Sequence, residues 1–260
     1  MLEVKKLGLK IGGQTILEEV SATFQPGQFS MIIGPNGSGK STLLKIISQE
    51  TSHYTGSVLY GHQIITPSGG YRLAKIRAVL SQHTDLSFPL SVEEVVIMGR
   101  YPHFDFQPSR QDNLIVTRVL KKMGIEHLRH RNYLTLSGGE KQKTHFARVL
   151  AQIWDVPEKS CRYLFLDEPI ASMDLNYQHE FLRIARALAR ENTVVIAVIH
   201  DLNLALQYAD RILALNKGRV VGDGTPDNVI TPGLIREMYG LQSSLLKDSE
   251  IPFPVLITGV

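Results

Sequence analysis

Three short stretches carry residue types whose order points to phosphate chemistry. The first, Gly34-Pro35-Asn36-Gly37-Ser38-Gly39-Lys40-Ser41, fits G-x-x-x-x-G-K-[ST] and lies between an apolar run, Phe29 to Ile33, and a segment of helical spacing. Its glycines let backbone N–H groups converge on phosphate oxygens, the helix N-terminus adds a favourable dipole, and Lys40 brings a positive charge to the β/γ end. Ser41 is placed to ligate Mg²⁺. The second stretch, Tyr163-Leu164-Phe165-Leu166-Asp167-Glu168-Pro169, is an apolar strand ending in two carboxylates. Asp167 would hold Mg²⁺, directly or through its water shell, and Glu168 would take a proton from an attacking water. Taken alone, such a pair reads equally well as a helix cap or salt-bridge site; the phosphate loop upstream tips the balance. The third, Leu136-Ser137-Gly138-Gly139-Glu140-Lys141-Gln142, opens an amphipathic helix, where Ser137 and two glycines make a second anion site without a lysine. One nucleotide does not need two such loops in one chain.

The elements that must position these residues are legible from hydrophobic period. Leu2 to Ile11, Ile16 to Phe24 and Phe29 to Ile33 read as strands, and Ser41 to Ser48 turns to helical spacing. From about Leu86 to Trp154 the texture is mostly helical, with helices expected at Val92 to Met98, at Leu114 to Met123 and after Ser137-Gly138-Gly139. In the last of these, Phe146, Val149, Leu150, Ile153 and Trp154 share a face, and Lys141, Lys143, Thr144 and Arg148 are expected largely elsewhere. Strand and helix then alternate: Tyr163 to Leu166, Leu175 to Ala189, Thr193 to Ile199 and Leu202 to Tyr208, the pattern of a parallel sheet covered on both faces. Arg211 to Leu215 and Arg219 to Val221 flank Asn216-Lys217-Gly218 as a hairpin, and the tail reads as a helix from Pro232 to Tyr239 followed by a loosely specified strand.

Composition narrows the class of protein. With 43% hydrophobic and 20% charged residues, the 260-residue chain is globular, and a charge of +3 without any like-charge run argues against nucleic acid as a partner. The single cysteine, Cys161, excludes an intrachain disulfide framework and suits a reducing compartment. Glu3, Lys5, Lys6 and Lys10 stand where a secretory signal would need an apolar run, so a cytoplasmic location is expected. The purest apolar stretch, Val194 to Ile199, is far short of the roughly 18 residues that span a bilayer, so any membrane role must use a partner's pore.

Phosphate loop, LSGGE, FLDEP and then an isolated histidine, in that order, resemble the ATP-binding-cassette (ABC) ATPases over nearly the whole chain. The resemblance implies an α/β phosphate-loop NTPase with a mixed, largely parallel sheet core, an N-terminal antiparallel β part and an inserted helical subdomain. It places the nucleotide-binding core at 1–85 and 156–225, the helical subdomain at 86–155 and a tail at 226–260, all in a single domain. It implies ATP contacts from Gly34, Pro35, Asn36, Gly37, Ser38, Gly39, Lys40, Ser41 and Thr42, and Mg²⁺ contacts from Ser41, Gln82 and Asp167. Glu168 is the implied base, His200 touches the γ-phosphate, and Gln82 senses the membrane partner. Ser137, Gly138 and Gly139 would reach the γ-phosphate bound by a second copy in a head-to-tail homodimer, with Asp174 crossing that interface. Two departures stand out: Ile11 and Gly12 occupy the place of an aromatic that commonly stacks on adenine, and Ile170 follows FLDEP where Thr or Ser is frequent.

Leu90 to His103, together with His200-Asp201-Leu202-Asn203-Leu204-Ala205, is similar to importers of iron chelates, haem and cobalamin, and Ala147 to Gln152 with the segment 153–162 looks most like haemin importers. The implied setting is the inner face of a bacterial membrane, with a transmembrane permease dimer as partner and a periplasmic binding protein reached indirectly. Alternatives are import of a siderophore or of cobalamin, or a non-transport cassette such as an iron–sulfur assembly ATPase. The nine histidines show no ligand spacing, so no direct haem contact is expected. Tyr101, Phe104 and Phe106 read either as core or as part of a cleft that receives a permease helix.

Overall fold

A computed structural model describes residues 1–61, 63–64, 70–81, 86–155, 160–171 and 173–259. The chain forms two compact units, Met1–Pro67 with Leu182–Val260, and Ser68–Phe181.

In the first unit, β1 (Leu2–Ile11), β2 (Gln14–Phe24), β4 (Thr55–Tyr60) and β5 (Gln63–Ile64) form an antiparallel sheet in the order β2-β1-β4-β5. Burial along β1 and β2 roughly alternates, as expected of a sheet with one wet face, and left-handed Lys6 and Glu19 mark where the ladder slips. A second set of strands, β3 (Phe29–Ile33), β8 (Thr193–Val198), β9 (Arg211–Asn216) and β10 (Arg219–Gly224), runs β10-β9-β3-β8. Here β3 is parallel to both neighbours, and every residue of β3 and β8 is buried, which is why their sequences are almost wholly apolar, with Ser30 and Thr193 as the polar exceptions. The β9–β10 hairpin turns through Lys217 and Gly218, both at positive φ, as a two-residue loop needs. Helix α1 (Lys40–Ile47) packs Leu43, Leu44, Ile46 and Ile47 inward. α7 (Leu202–Tyr208), α8 (Pro226–Val229) and α9 (Pro232–Tyr239) follow.

The tail continues beyond α9 as a hairpin, β11 (Ser243–Leu246) with β12 (Val255–Thr258), where the sequence suggests one loose strand. Asn203 fixes it to α7: the Leu256 N–H donates to Asn203 Oδ1 at 2.7 Å and Asn203 Nδ2 donates to the Leu256 carbonyl at 3.2 Å.

The second unit contains α2 (Gly70–Ile76), β6 (Arg77–Leu80), α3 (Val92–Ile97), α4 (Arg110–Lys122), α5 (Gly138–Gln152), β7 (Arg162–Asp167) and the first part of α6 (Leu175–Arg190). Reciprocal capping boxes at Ser91–Glu94, Ser109–Asp112 and Ser137–Glu140 start α3, α4 and α5, each such cap worth about 1 kcal/mol. The Ser109 cap starts α4 four residues before the Leu114 expected from apolar spacing, because the first turn is polar. Thr144, expected off the apolar face of α5, is fully buried; its hydroxyl donates to the Glu140 carbonyl at 2.7 Å, so the polar group is satisfied within the helix.

A buried fork closes one end of this unit. Arg100 is 1% exposed and donates from Nε to Asp112 at 2.9 Å, from Nη1 to the Ala151 carbonyl and to Asp155, each at 2.7 Å, and from Nη2 to Asp155 at 3.0 Å. Gln152 Nε2 donates to the carbonyls of Ala74 and Arg77 at 2.8 and 2.9 Å, joining the end of α5 to the α2–β6 junction. Gly99 allows this closeness: a Cβ there would lie 2.0 Å from the Arg148 carbonyl oxygen.

Candidate functional site: two sets of phosphate-handling residues

Lys40, Ser41 and His200 belong to the first unit. β3 and β8 lie side by side in parallel, with Ile32 opposite Val198, and the Ile199 N–H donates to the Ile32 carbonyl at 3.2 Å. The loop after β3 and the histidine after β8 therefore leave the same edge of the sheet, where parallel α/β sheets bind ligands.

Crowding and a left-handed backbone together dictate Gly39 in this loop. At Gly39, with φ +99°, a Cβ would stand 2.7 Å from Leu17 Cδ2 and 3.0 Å from the Ile16 carbonyl oxygen. The β9–β10 turn braces the loop, since the Gly218 N–H donates to the Ser38 carbonyl at 3.1 Å and the Glu18 N–H to the Gly218 carbonyl at 2.9 Å. Lys40, 5% exposed, donates from Nζ to the carbonyls of Gly34 and Pro35 at 2.9 and 3.0 Å, so it lies folded over the loop it serves.

Two observations fit this cradle to a phosphate. The N-terminus of α1 has no side-chain cap and no acidic residue in its first turn, leaving its N–H dipole directed at the loop. Ser38 Oγ is buried without a protein hydrogen-bond partner, a donor suited to a phosphate oxygen. One neighbour escaped the sequence reading: Tyr239 of α9 meets Gly34, and its hydroxyl is raised by burial, an effect that the Gly34 N–H opposes. Nothing local to Tyr239 signals this contact, which the packing of the tail creates.

Asp167, Glu168, Ser137–Gly139 and Asp174 belong to the second unit. β6 and β7 pair in parallel with Leu80 opposite Leu166, so the carboxylates end their strand beside the chain leaving β6. Gln82, expected there as a Mg²⁺ and switch residue, lies outside the described residues. Asp167 is 7% exposed, and Glu168 holds φ 47°, a left-handed conformation that costs a non-glycine residue about 1–3 kcal/mol and is concentrated at functional sites.

Ser137 and Gly138 are exposed at the head of α5, where the Ser137 hydroxyl donates to Glu140 at 2.9 Å and accepts from the Glu140 N–H at 3.3 Å. Hydrogen bonds from the Ser137 N–H and hydroxyl hold the Glu140 carboxyl below its ordinary range. Asp174 is exposed and accepts from the Tyr177 N–H at 3.0 Å. Ile170 is buried, and its carbonyl, like that of Met173, accepts from Gln178 Nε2. Ile11, which stands where the resemblance expects an aromatic for the base, is 60% exposed at the end of β1.

No helix among the described residues is long and apolar enough to cross a membrane, and no His, Cys, Asp and Glu cluster among them could hold a metal ion.

The ABC transporter family model matches residues 17–171. A protein of Gloeobacter violaceus named hemin import ATP-binding protein HmuV is 43% identical over 257 residues, covering 99% of this chain and 94% of that protein. Among solved structures, a metal-chelate-type ABC transporter in an inward-facing conformation superposes with a TM-score of 0.84 at 24% identity, over 100% of this chain and 97% of that one. A dimeric, post-hydrolysis ATP-binding cassette bound to ADP and phosphate gives 0.73 at 24% identity, over 87% and 99%. With the phosphate loop, the LSGGE helix start and the FLDEP strand all on the same chain, it belongs to the ABC transporter family and is a nucleotide-binding ATPase of that family.

Proposed function

We propose that this chain hydrolyses ATP as the energy-coupling subunit of a bacterial importer of haemin, acting as a head-to-tail pair beneath a transmembrane permease dimer that a periplasmic binding protein supplies. The observation that carries the cargo is 43% identity over 99% of the chain to a protein named for hemin import. The pairing is supported by the exposure of Ser137, Gly138 and Asp174, which offer a capped helix start and a carboxylate to a second molecule.

In this reading Gly34 to Thr42 wrap the phosphates, Ser38 Oγ donates to one of their oxygens, and Lys40 leaves its own loop's carbonyls for the β/γ oxygens. Ser41 and Asp167 offer the hard oxygen ligands that Mg²⁺ takes, with Gln82 as a third; the ion would neutralise charge on the β- and γ-oxygens. Glu168 takes the proton of the attacking water and His200 donates toward the γ-phosphate. Ser137, Gly138 and Gly139 of the second copy close the site. Phe88, Tyr101 and Phe106, 69%, 58% and 97% exposed on the second unit, form the surface for a cytoplasmic helix of the permease, which holds the subunit at the membrane's inner face.

Glu168→Gln is the test of the mechanism. It should bind ATP and accumulate a stable dimer while turnover falls at least a hundredfold; undiminished turnover refutes Glu168 as base. For the cargo, deletion of the gene should abolish growth on haemin as iron source and spare growth on a ferric siderophore. The reverse pattern would assign the siderophore instead.

A further inference from the structure

The start of α5 and the segment Met173-Asp174 that precedes α6 carry the residues assigned to the dimer contact, and one residue joins them, by its ring on one side and its backbone on the other. Tyr177 donates its backbone N–H to Asp174 Oδ1 at 3.0 Å. Its ring lies on the backbone of Gly139: a Cβ built at Gly139 would stand 3.1 Å from Tyr177 Cδ2 and 3.2 Å from Cε2, closer than a methyl is normally accommodated. On the same helix as Gly139, Lys143 Nζ sits 4.5 Å from the ring centroid and is paired at 2.7 Å with Glu180 of α6. Glycine backbone, phenol ring, ammonium and carboxylate thus clamp the first two turns of α5 to the first two turns of α6. Below them Phe146 and Phe181 stack at a centroid distance of 4.3 Å, so the two helices are already packed and do not need Tyr177 to hold them together. Tyr177 itself is only half-buried.

We propose that Tyr177 is a positioning residue for the composite ATP site: it sets the spacing of Ser137–Gly139 relative to Asp174, so that both reach the second copy in one register. Gly139 is a glycine because the ring occupies the volume of its side chain. α5 has no positive-φ requirement at this position, so the demand is one of space. The ring packs on Gly139 while the backbone N–H of the same residue holds Asp174, and the ring touches no substrate. The proposal rests on the reading of the chain as a dimerising ATPase.

A mutant cycle tests it, read by ATP-driven dimer formation in the Glu168→Gln background and by steady-state turnover in the otherwise wild-type chain. Tyr177→Phe keeps the ring and should stay within twofold of wild type. Tyr177→Ala should lower turnover about tenfold and weaken ATP-driven dimerisation. Binding of ATP to the dilute monomer, which uses the phosphate loop, should stay unchanged, as should the melting temperature within a few degrees. Gly139→Ala should be impaired alone, and its loss should be smaller in the Tyr177→Ala background, where the methyl has room and only the contact of Gly139 with the second copy's phosphate is disturbed. Additive losses in the double variant, or wild-type dimerisation by Tyr177→Ala, would overturn the proposal. If Gly139→Ala or Tyr177→Ala fails to fold, Tyr177→Leu replaces the ring by a smaller apolar side chain, and wild-type turnover in it would likewise overturn the inference. Absence of ATP-driven dimerisation with Tyr177 intact would instead refute the underlying reading, so the two failures are distinguishable.

Discussion

Replacing Arg100 by methionine keeps an unbranched side chain and removes every bond of the fork that closes the second unit. Four donor–acceptor pairs disappear, to Asp112, to the Ala151 carbonyl and to both oxygens of Asp155. The two carboxylates then diverge. Asp155 has about a third of its side chain in water and can be resolvated, so its loss of the guanidinium should cost only about 1 kcal/mol. Asp112 is 3% exposed and cannot. Burial pushes its carboxyl up, and bonds from Ser109 and Arg100 more than offset that to hold it below its ordinary range. Without Arg100 only Ser109 remains, donating its N–H at 2.8 Å and its hydroxyl at 2.5 Å. Removing one partner of a buried pair costs about 3–5 kcal/mol, and these surviving bonds favour the lower half of that range.

The sole tryptophan, Trp154, adjoins Asp155 and makes a local reporter. Urea unfolding followed by its fluorescence should show the midpoint lowered by an amount equivalent to about 3–4 kcal/mol with unchanged slope for Arg100→Met, against about 1–2 kcal/mol for Asp155→Ala. Arg100→Met combined with Asp112→Asn should cost less than the sum of the singles, because the orphaned charge is gone. A loss under about 1 kcal/mol for Arg100→Met, or full additivity, would refute the view that the fork holds this unit together.

Gly99→Ala should cost about 1–3 kcal/mol by the same fluorescence assay, since its Cβ would meet the Arg148 carbonyl at 2.0 Å and backbone must move. Hydrogen bonds from Arg129 hold Glu93 below its ordinary range. A depressed folded value contributes stability that is complete above the ordinary glutamate range and lost as pH falls through the folded value. The stability difference between the wild type and Arg129→Met, measured by urea titration, should therefore be constant near neutrality and shrink on acidification. Ile11→Tyr should tighten ATP binding by about 1 kcal/mol, near fivefold in a calorimetric Kd, by putting a ring at the end of β1 where the exposed isoleucine stands. In the unaltered chain, ATP and GTP should bind within about threefold of each other.

How far the molecule could be read from its residues follows from how local each cause is. The strands β3 and β8 are almost wholly apolar because both faces are buried, and the helix start at Ser137 is a capping box spanning four residues, so each is written in adjacent letters. The phosphate-loop motif is of the same kind: its glycines, Lys40 and the following helix are contiguous, so strand, loop and helix follow from adjacent residues. β4, which opens on Thr55-Gly56-Ser57, and β6, only four residues long, went unread because neither carries a clear apolar pattern of its own and partners on distant strands define them.

Only tertiary structure could decide the rest. The Lys217–Gly218 turn braces Ser38 from far along the chain, Tyr239 reaches Gly34 from the tail, and Asn203 clasps Leu256. Arg100, in an ordinary-looking Gly-Arg-Tyr-Pro stretch, becomes a buried fork because Asp112, Ala151 and Asp155 converge on it. The ring of Tyr177 explains Gly139 only once α5 and α6 are packed. The sequence by itself determined which residues are the candidates for phosphate chemistry, since that chemistry needs short, contiguous arrays of N–H groups and charges. The packing of segments far apart in the chain determined what holds those arrays in place, because the contact energies depend on distances in space that no spacing along the chain encodes.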